Sequence, residues 1–260
     1  RIAEDIQRVK KKLKQARTIR DTGRKNRMRS QVPAIALVGY TNAGKSSVMN
    51  RLLRESKAKG REVYVEDMPF ASLDPDTRRI RLPDGLVVYV TDTVGFISNL
   101  PTTLVEAFHT TLEELKESDL IVHVIDGSAE DAALRYETTR KLLNDLGAAD
   151  VPSLLFVNKK DLMEGKKLPF MPAEDRVIYG SCKHDGDFDY FYSAVQEKVE
   201  DLYVKVDLKF TFHEMDRVEA IKANYPVERL DYEADGVAMT ATLPKRAYDQ
   251  MKPYVRRRYV

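Results

Sequence analysis

From residue 33 onward, short apolar runs alternate with segments that have helical periodicity. The apolar runs predict strands at residues 34–38, 78–82, 86–91, 120–125, 153–157 and 177–179. The segments between them predict helices at 45–54, 103–116, 132–146 and 188–202. The second and third strands are joined by Pro83-Asp84-Gly85, a hairpin turn signal. This order predicts an α/β fold, with a mainly parallel sheet, one antiparallel edge and helices on both faces.

The pattern changes near residue 203. A strand at 204–212 and a helix at 214–223 precede a hairpin of 227–232 and 237–243, which turns at Ala234-Asp235-Gly236. A last helix is expected after Pro244. Since no catalytic constellation is found there, residues 203–260 are interpreted as a small α+β docking or structural domain. The preceding residues 32–202 would form the main α/β domain.

Residues 1–31 form the third unit, a basic helical arm. Apolar residues recur there with heptad spacing at Ile2, Ile6, Val9, Leu13 and Ala16. The arm holds twelve Lys/Arg against three carboxylates, whereas the rest of the chain holds 31 Lys/Arg against 38 Asp/Glu. A basic arm on an acidic body suits an RNA or another polyanion. A solvated helix packing one stripe on its own protein is the alternative interpretation.

The composition of the chain excludes several classes of protein. The chain has 260 residues and 43% hydrophobic content, and its apolar runs are too short to cross a bilayer. Its one cysteine, Cys182, fits a reducing compartment, and the four histidines lack metal-ligand spacing. The chain begins with Arg1 rather than Met, so a preceding segment is expected.

A phosphate-binding loop is predicted directly after the first strand, where the residues fit G-x-x-x-x-G-K-[ST] and open a helix. Backbone N–H groups of such a loop converge on phosphates. Lys45 would reach the β- and γ-phosphates and act as a catalytic residue, and Ser46 would supply a hydroxyl ligand to Mg²⁺. The predicted binding residues here are Gly39, Tyr40, Thr41, Asn42, Ala43, Gly44, Lys45, Ser46 and Ser47.

A second element, Asp92-Thr93-Val94-Gly95, ends the third strand. Asp92 can support Mg²⁺ directly or through water, and the Gly95 N–H can meet a γ-phosphate. The D-x-x-G pattern is common in proteins, but its position at the end of the second hairpin strand supports a role in binding Mg²⁺ and phosphate.

Base selection is predicted at Asn158-Lys159-Lys160-Asp161, after the fifth strand. The Asp161 carboxylate can accept from N1–H and the 2-amino group of guanine, a paired donor edge that adenine lacks. Asn158 would connect this loop to the phosphate loop, and the Lys159 stem would cover a face of the base. Ser181 and Cys182, after the last strand of the parallel sheet, would offer backbone N–H to the base carbonyl.

The loop between the first helix and the second strand should supply another Mg²⁺ ligand. Its candidate binding residues are Phe70, Ala71, Ser72, Leu73 and Asp74. Both Ser72 and Thr77 carry a suitable hydroxyl, and the residues alone leave both open.

Taken together, these motifs resemble the HflX family of ribosome-associated GTPases, a P-loop GTPase fold. The residues that carry the likeness are Gly39 to Ser46, Phe70-Ala71-Ser72-Leu73-Asp74-Pro75, and Asp92-Thr93-Val94-Gly95-Phe96-Ile97 followed by Leu100-Pro101. Members have a further N-terminal domain before the basic helix. The resemblance implies a translation factor that binds GTP and GDP, associates with the large ribosomal subunit and separates ribosomal subunits. It also selects Ser72, rather than Thr77, as the Mg²⁺ ligand and a catalytic residue, at a position where the family usually has Thr.

Two positions bear on hydrolysis. Phe96 stands where many small GTPases place a water-orienting glutamine, so slow intrinsic hydrolysis stimulated by the ribosome is expected. Asn42 occupies a loop position that in several related GTPases helps hold K⁺, which suggests K⁺-stimulated hydrolysis as a hypothesis.

The leading hypothesis is a Mg²⁺-dependent GTPase that splits or recycles ribosomes, binding large-subunit rRNA through the arm as a monomer without a membrane span. The alternatives are an assembly GTPase on a large-subunit precursor and a non-hydrolysing GTP-binding rRNA scaffold. The expected location is the bacterial cytoplasm, with the mitochondrial matrix as the alternative.

Overall fold

The computed structural model describes residues 32–58, 76–82, 85–93, 113–174 and 176–259. The predicted arm helix over residues 1–31 lies outside the described residues. The helix predicted at 103–116 falls partly outside them, and its described end is a 3₁₀ helix at Glu113–Glu117.

A six-stranded sheet forms the first half of the fold. Its strands are β1 (Ala34–Val38), β2 (Asp76–Arg81), β3 (Val87–Asp92), β4 (Leu120–Asp126), β5 (Ser153–Asn158) and β6 (Val177–Tyr179). They lie in the order β2-β3-β1-β4-β5-β6. Every neighbouring pair is parallel except β2 and β3. The predicted α/β fold class, with one antiparallel edge, is therefore confirmed.

In the described part of the chain, three helices cover this sheet: α1 (Lys45–Ala58), α2 (Ala132–Asp145) and α3 (Asp185–Glu200). α1 and α3 share one apolar core, in which Leu52 and Phe188 are buried with Val122 of β4. α2 packs on the opposite face, where Leu143 lies with Ile121. Neighbouring residues of β4 thus enter cores on opposite sides, as the alternation of a strand requires.

A second, antiparallel sheet follows in the C-terminal region, defined here as residues 203–259. Its strands are β7 (Tyr203–Phe210), β8 (Val227–Glu233), β9 (Gly236–Pro244) and β10 (Val255–Arg258). They lie in the order β10-β7-β9-β8. The helices α4 (Met215–Asn224) and α5 (Lys245–Met251) complete the region. β10 was not predicted from the sequence.

Alternation along β7 explains this second core. Val204, Val206, Leu208 and Phe210 are buried, while Lys205, Asp207 and Lys209 between them are partly exposed. The buried side chains pack with Val218 and Ile221 of α4 and Ala247 of α5. One face of the sheet is therefore apolar and covered, and the other is polar.

The C-terminal region touches the first sheet at the start of its strands. Asp119, just before β4, accepts a hydrogen bond from the backbone N–H of Ala34 at 2.9 Å. Its other carboxylate oxygen lies 2.9 Å from the guanidinium of Arg246 in α5. Arg246 also donates to the carbonyl of Glu117 at 3.5 Å. The predicted boundaries at residues 31/32 and 202/203 stay a prediction.

The sequence predicts that no apolar run is long enough to cross a bilayer. Within the ranges that the structure describes, every helix is too short or too polar to cross a bilayer.

Candidate nucleotide-binding site

The loop between β1 and α1 is shaped by two glycines with positive φ. Gly39 has φ 142°, and a Cβ placed there would lie 2.1 Å from the carbonyl oxygen of Val124. Gly44 has φ 102°, and its Cβ would lie 2.2 Å from Nδ2 of Asn158. Since backbone or a packed amide occupies the space on each side, only glycine fits at either position. The loop is consequently held close against the ends of β4 and β5.

The Lys45 side chain folds back over this loop. Its Nζ donates to the carbonyl oxygens of Gly39 and Tyr40, both at 2.9 Å. The residue is buried, and burial lowers the pKa of the ammonium, while the Asp92 charge acts in the opposite direction. The ammonium is thus fixed at the mouth of the loop, ahead of the helix N-terminus.

Ser46 and Asp92, two of the predicted metal ligands, come together in the structure. The Ser46 hydroxyl donates to Oδ2 of Asp92 at 2.7 Å. The following residue, Thr93, anchors the end of β3 by donating its hydroxyl to the Leu37 carbonyl at 2.6 Å. A hydroxyl and a carboxylate are hard oxygen donors, and Mg²⁺ typically takes one or two protein oxygens together with phosphates. The donor set therefore fits Mg²⁺.

Asn158 joins three loops through one buried side chain. Its Nδ2 donates to the carbonyl of Ala43 in the phosphate loop at 2.9 Å. Its Oδ1 accepts from the backbone N–H of Cys182 at 3.2 Å. The side chain is 3% exposed, so each of these bonds replaces contacts with water. The phosphate loop and the two loops after β5 and β6 are thereby fixed relative to one another.

Asp126, which the sequence reasoning missed, holds the Lys159 side chain. Lys159 has φ 62°, and its Nζ lies 2.7 Å from Oδ2 of Asp126. The other carboxylate oxygen accepts from the N–H and hydroxyl of Ser128 at 3.0 and 2.6 Å. Burial raises the pKa of Asp126, but the bonds from Lys159 and Ser128 outweigh it and lower the pKa overall. A carboxylate directly after the apolar run of the strand predicted at 120–125 was the available signal.

The Asp161 carboxylate lies at the surface beside the loop after β6. A hydrogen bond from Ser181 is the main reason that the pKa of Asp161 is lowered. Lys183 is 3.7 Å away and acts in the same direction. Asp161 is therefore ionised at neutral pH and can act only as an acceptor. It lines a shallow depression of about 480 Å³ together with Lys160, His184, Gly186 and Asp187, and none of these is a phosphate-loop residue.

The loop after β6 contains Ser181 and Cys182. Ser181 is buried, and its hydroxyl accepts from the N–H of Lys183 at 3.2 Å. Burial raises the pKa of the Cys182 thiol to about 11, so the side chain is a neutral packing group. Only its backbone takes part in the contacts around Asn158.

The remaining predicted site residues lie partly within and partly outside the described residues. Tyr40 lies under the guanidinium of Arg135 from α2 at 5.3 Å, whereas Thr41, Asn42 and Ser47 are exposed. Thr77 belongs to β2, and its hydroxyl lies 3.0 Å from that of Thr91. Phe70, Ala71, Ser72, Leu73, Asp74, Val94, Gly95 and Phe96 lie outside the described residues.

The loop between β1 and α1 and a separate loop after β5, joined through Asn158 at the carboxyl ends of parallel strands, define the chain as a P-loop GTPase by fold. The family model described as "50S ribosome-binding GTPase" matches residues 34–159. GTPase HflX of Caldanaerobacter subterraneus subsp. tengcongensis is 35% identical over 98% of this chain and 57% of its own length. GTPase HflX of Akkermansia muciniphila is 36% identical over 96% of this chain and 57% of its own. The chain belongs to the HflX family.

Both relatives are longer proteins, and the chain spans 57% of the length of each. Among solved structures, a GTP-binding protein from Sulfolobus solfataricus in complex with GDP is similar, with a TM-score of 0.52 and 24% identity. The match covers 72% of this chain and 58% of that protein. At this identity the likeness supports the fold alone.

Proposed function

We propose that this protein binds GTP with Mg²⁺ and hydrolyses it to GDP and phosphate. The observation that carries the proposal is the Asn158 side chain, which joins the phosphate loop to both loops that would surround the base. A protein that only needed a polar turn after β5 would not require one amide to span Ala43 and Cys182. The arrangement holds the two ends of a nucleotide at a fixed separation.

Guanine is the base that this site would select. The ionised Asp161 carboxylate offers two acceptor oxygens to the N1–H and 2-amino donors of guanine. Adenine presents an acceptor at N1, so the carboxylate would lose its hydration without gaining partners. The Lys159 stem, held by Asp126, would cover one face of the base.

Ser46 and Asp92 would hold Mg²⁺, with Ser72 as the proposed third protein ligand. When bound, the ion would supply positive charge that offsets the negative charge of the phosphates. Lys45 would contribute a second positive charge. Its Nζ would donate hydrogen bonds to phosphate oxygens instead of to the Gly39 and Tyr40 carbonyls. Backbone N–H groups at the start of α1 would add to the same electrostatic stabilisation.

The base assignment is tested with an Asp161→Asn variant. The amide can accept from N1–H but sets its NH₂ against the 2-amino group of guanine, so GTP affinity should fall by on the order of a hundredfold. Xanthosine triphosphate has a carbonyl at that position, and the variant should bind it better than GTP. Asp189→Asn, an exposed change on α3, is the matched control. Unchanged GTP affinity in the Asp161 variant would refute the base assignment.

Association with the large ribosomal subunit is the proposed cellular role, with splitting or recycling of ribosomes as its outcome. It is supported by the family to which the chain belongs and by the twelve Lys/Arg of residues 1–31, which would meet rRNA. Sedimentation with ribosomal subunits in GTP, GDP and a slowly hydrolysed analogue tests it. Deleting residues 1–31 should weaken binding and flatten its salt dependence, and an unchanged salt slope would exclude the arm.

Turnover measurements separate this role from the alternatives. Hydrolysis that rises with mature large subunits supports a ribosome-acting GTPase, and stimulation only by precursor particles supports an assembly factor. Absence of turnover under both conditions would indicate a GTP-binding scaffold. Asn42, exposed in the phosphate loop with φ 62°, is the proposed K⁺ contact. Equal turnover in Na⁺ and K⁺, or an Asn42→Ala variant that keeps its K⁺ response, would rule this out.

The bacterial relatives support the cytoplasm as the location. The protein is proposed to act there as a monomer.

A further inference from the structure

The last strand of the chain carries three consecutive arginines on the rim of the C-terminal sheet. β10 is an outer strand that pairs antiparallel with β7. The register shifts between Val255 and Arg257, so Arg256 falls at an irregularity, while Arg257 pairs with Asp207 and Arg258 with Val206. All three arginines are exposed. We call Arg256, Arg257 and Arg258 the arginine edge.

Two of the three arginines in the arginine edge contact aromatic rings. The guanidinium of Arg257 lies 4.8 Å from the centre of the Tyr259 ring, and that of Arg258 lies 5.5 Å from the Tyr248 ring. Since Arg257 pairs with an exposed-face position of β7 and Arg258 with a buried one, the two guanidinium groups leave the strand on opposite faces of the sheet. Positive charge therefore wraps around the rim.

Other cations of this sheet are neutralised by carboxylates. Lys205 pairs with Glu228, Lys209 with Glu233 and Asp235, and Arg229 with Asp231. Among the described residues, the arginine edge makes no ion pair with a carboxylate within 4.0 Å. Asp207, the acid opposite Arg257, already accepts from Thr240 and Tyr259 at 2.7 and 2.9 Å.

Positive and negative residues of the C-terminal region are concentrated in different segments of the chain. Residues 245–259 contain six Lys/Arg and one Asp, whereas residues 203–244 contain five Lys/Arg and eight Asp/Glu. The cationic part is the segment that ends in the arginine edge. A positive rim on an otherwise acidic region is an electrostatic footprint for a polyanion.

We propose that the arginine edge, with Tyr248 and Tyr259 beside it, binds the phosphodiester backbone of RNA. Guanidinium groups match phosphate geometry with two parallel N–H donors, which an isolated ammonium does not offer. The Tyr248 and Tyr259 rings hold the guanidinium groups of Arg258 and Arg257 at the rim, and the planes of such guanidinium groups are surfaces on which unpaired bases can stack, a contact that an acidic peptide would not use. The site is separate from the nucleotide site and does not depend on the rRNA contact proposed for residues 1–31.

Charged outer strands also prevent sheets from pairing edge to edge, and this is the competing explanation for the arginines. It predicts that neutralising them promotes self-association without a change in RNA binding. The proposal predicts weaker RNA binding without a change in self-association, so one variant separates the two explanations.

The variant is Arg256→Gln/Arg257→Gln/Arg258→Gln in the full chain. Its affinity for a labelled single-stranded RNA of about 20 nucleotides is measured by fluorescence anisotropy as salt is raised. Each phosphate contact contributes about 0.7 to the slope of log affinity against log salt, so the slope should fall by about 2. The control Lys209→Gln/Lys222→Gln/Arg229→Gln removes the same charge from cations that already have carboxylate partners, and it should change the slope much less.

A second variant, with lysine at the same three positions, keeps the charge but removes the planar guanidinium. It should retain the salt slope and bind RNA more weakly than the parent chain. Photo-crosslinking of the unmodified chain to RNA that contains 4-thiouridine avoids any question of folding. Crosslinked peptides from residues 245–259 are expected.

Four results would overturn the proposal: an unchanged salt slope in the glutamine variant, crosslinks confined to other segments, equal competition by polyglutamate of the same charge, or a change in self-association alone. GTP turnover is measured on the same samples. It should be unchanged, so failure of this proposal and failure of the proposed GTPase activity are distinguishable.

Discussion

The parts of the chain that form the two sheets differ in whether they bury polar side chains. All nine buried polar or charged side chains among the described residues belong to residues 32–202, and the C-terminal region has none. The first sheet buries Lys45, Asn158 and Thr93 and satisfies them with backbone carbonyls and N–H groups. The second sheet keeps its charges at the surface in ion pairs.

The free-energy cost of burying polar groups explains this difference. An unpaired buried polar group costs about 1–3 kcal/mol, so each one in the first sheet demands a matching partner. The C-terminal region avoids the problem by alternation and can therefore vary its polar face without disturbing its core. We expect substitutions at the buried polar residues around the phosphate loop to alter guanine-nucleotide binding, and core substitutions in the C-terminal region to alter stability without changing that binding.

The largest expected effect is on stability. Leu208→Ala removes a side chain that is 1% exposed in the C-terminal core and should lower the free energy of unfolding by about 2–5 kcal/mol. Guanine-nucleotide affinity of the folded variant should not change. Urea unfolding and calorimetric titration measure the two quantities. Leu134→Ala, at a leucine that is 68% exposed on α2, is the control and should cost about 0.5 kcal/mol or less. A loss of nucleotide affinity in the Leu208 variant would show that the two regions are coupled.

The Asn158→Ala variant should act in the opposite manner. Removal of the amide leaves the Ala43 carbonyl and the Cys182 N–H without their partner, at about 1–3 kcal/mol each. Nucleotide affinity should fall by about ten- to a hundredfold because three loops lose their common anchor. Asn144→Ala, an exposed change at the end of α2, serves as the control. If stability fell while affinity held, Asn158 would be a packing residue only.

Acidification should also distinguish the regions. His123 of β4 is fully buried beside Glu174, and its Nδ1 lies 3.3 Å from that carboxylate. Burial lowers the pKa of His123 below its ordinary 6.5, although Glu174 acts to raise it. An ionised Glu174 can only accept, so the neutral imidazole is the donor. Burial raises the pKa of Glu174, but bonds from His123 and Tyr136 outweigh it and lower the pKa overall.

The sign of the effect follows from proton binding. Below pH 6.5 the unfolded chain binds a proton at His123 that the folded chain does not, so stability falls as the pH drops. The free energy of unfolding should decrease between pH 7 and pH 5 by at most about 1.4 kcal/mol per pH unit from this residue. His123→Gln, which can still donate to Glu174, should flatten that decrease, whereas His213→Gln at an exposed position should not. Equal slopes in the parent and both variants would contradict the assignment.

The smallest effect is expected on the polar face of the C-terminal sheet. Lys205→Gln removes an ion pair with Glu228 whose side chains are 40% and 50% exposed. Such pairs contribute about 0–1 kcal/mol and less as salt is raised. Thermal unfolding at low and high salt measures this. A cost that persisted in high salt would mean that the Lys205 stem, rather than its charge, stabilises the sheet.

The sequence was sufficient where a local pattern decides the structure. β1 and β6 have the predicted bounds because the flanking residues end their apolar runs, namely Pro33 and Gly39 around β1 and Arg176 and Gly180 around β6. α3 begins at Asp185 instead of Phe188, since Arg51 and Arg54 of α1 pair with that carboxylate. Carboxylates in a first helical turn also suit the helix dipole. That tertiary contact cannot be read from the run of apolar residues.

β10 and Asp126 were missed for related reasons. β10 has one apolar residue followed by three arginines, so it lacks alternation, and it forms by pairing with β7. Asp126 gains its role from the parallel register that places it opposite Asn158, next to Lys159. Both depend on a neighbour that is distant in the sequence, and a one-dimensional pattern does not contain that neighbour.

The carboxylate of Asp119 ties the charge state of one sheet to a side chain of the other. Burial raises the pKa of Asp119, and the Ala34 N–H and the Arg246 guanidinium each lower it. Without the guanidinium, the carboxylate would take up a proton at a higher pH, and the amide at the beginning of β1 would lose an anionic acceptor. The strand that leads into the phosphate loop thus owes part of its acid tolerance to an arginine 212 residues further along the chain.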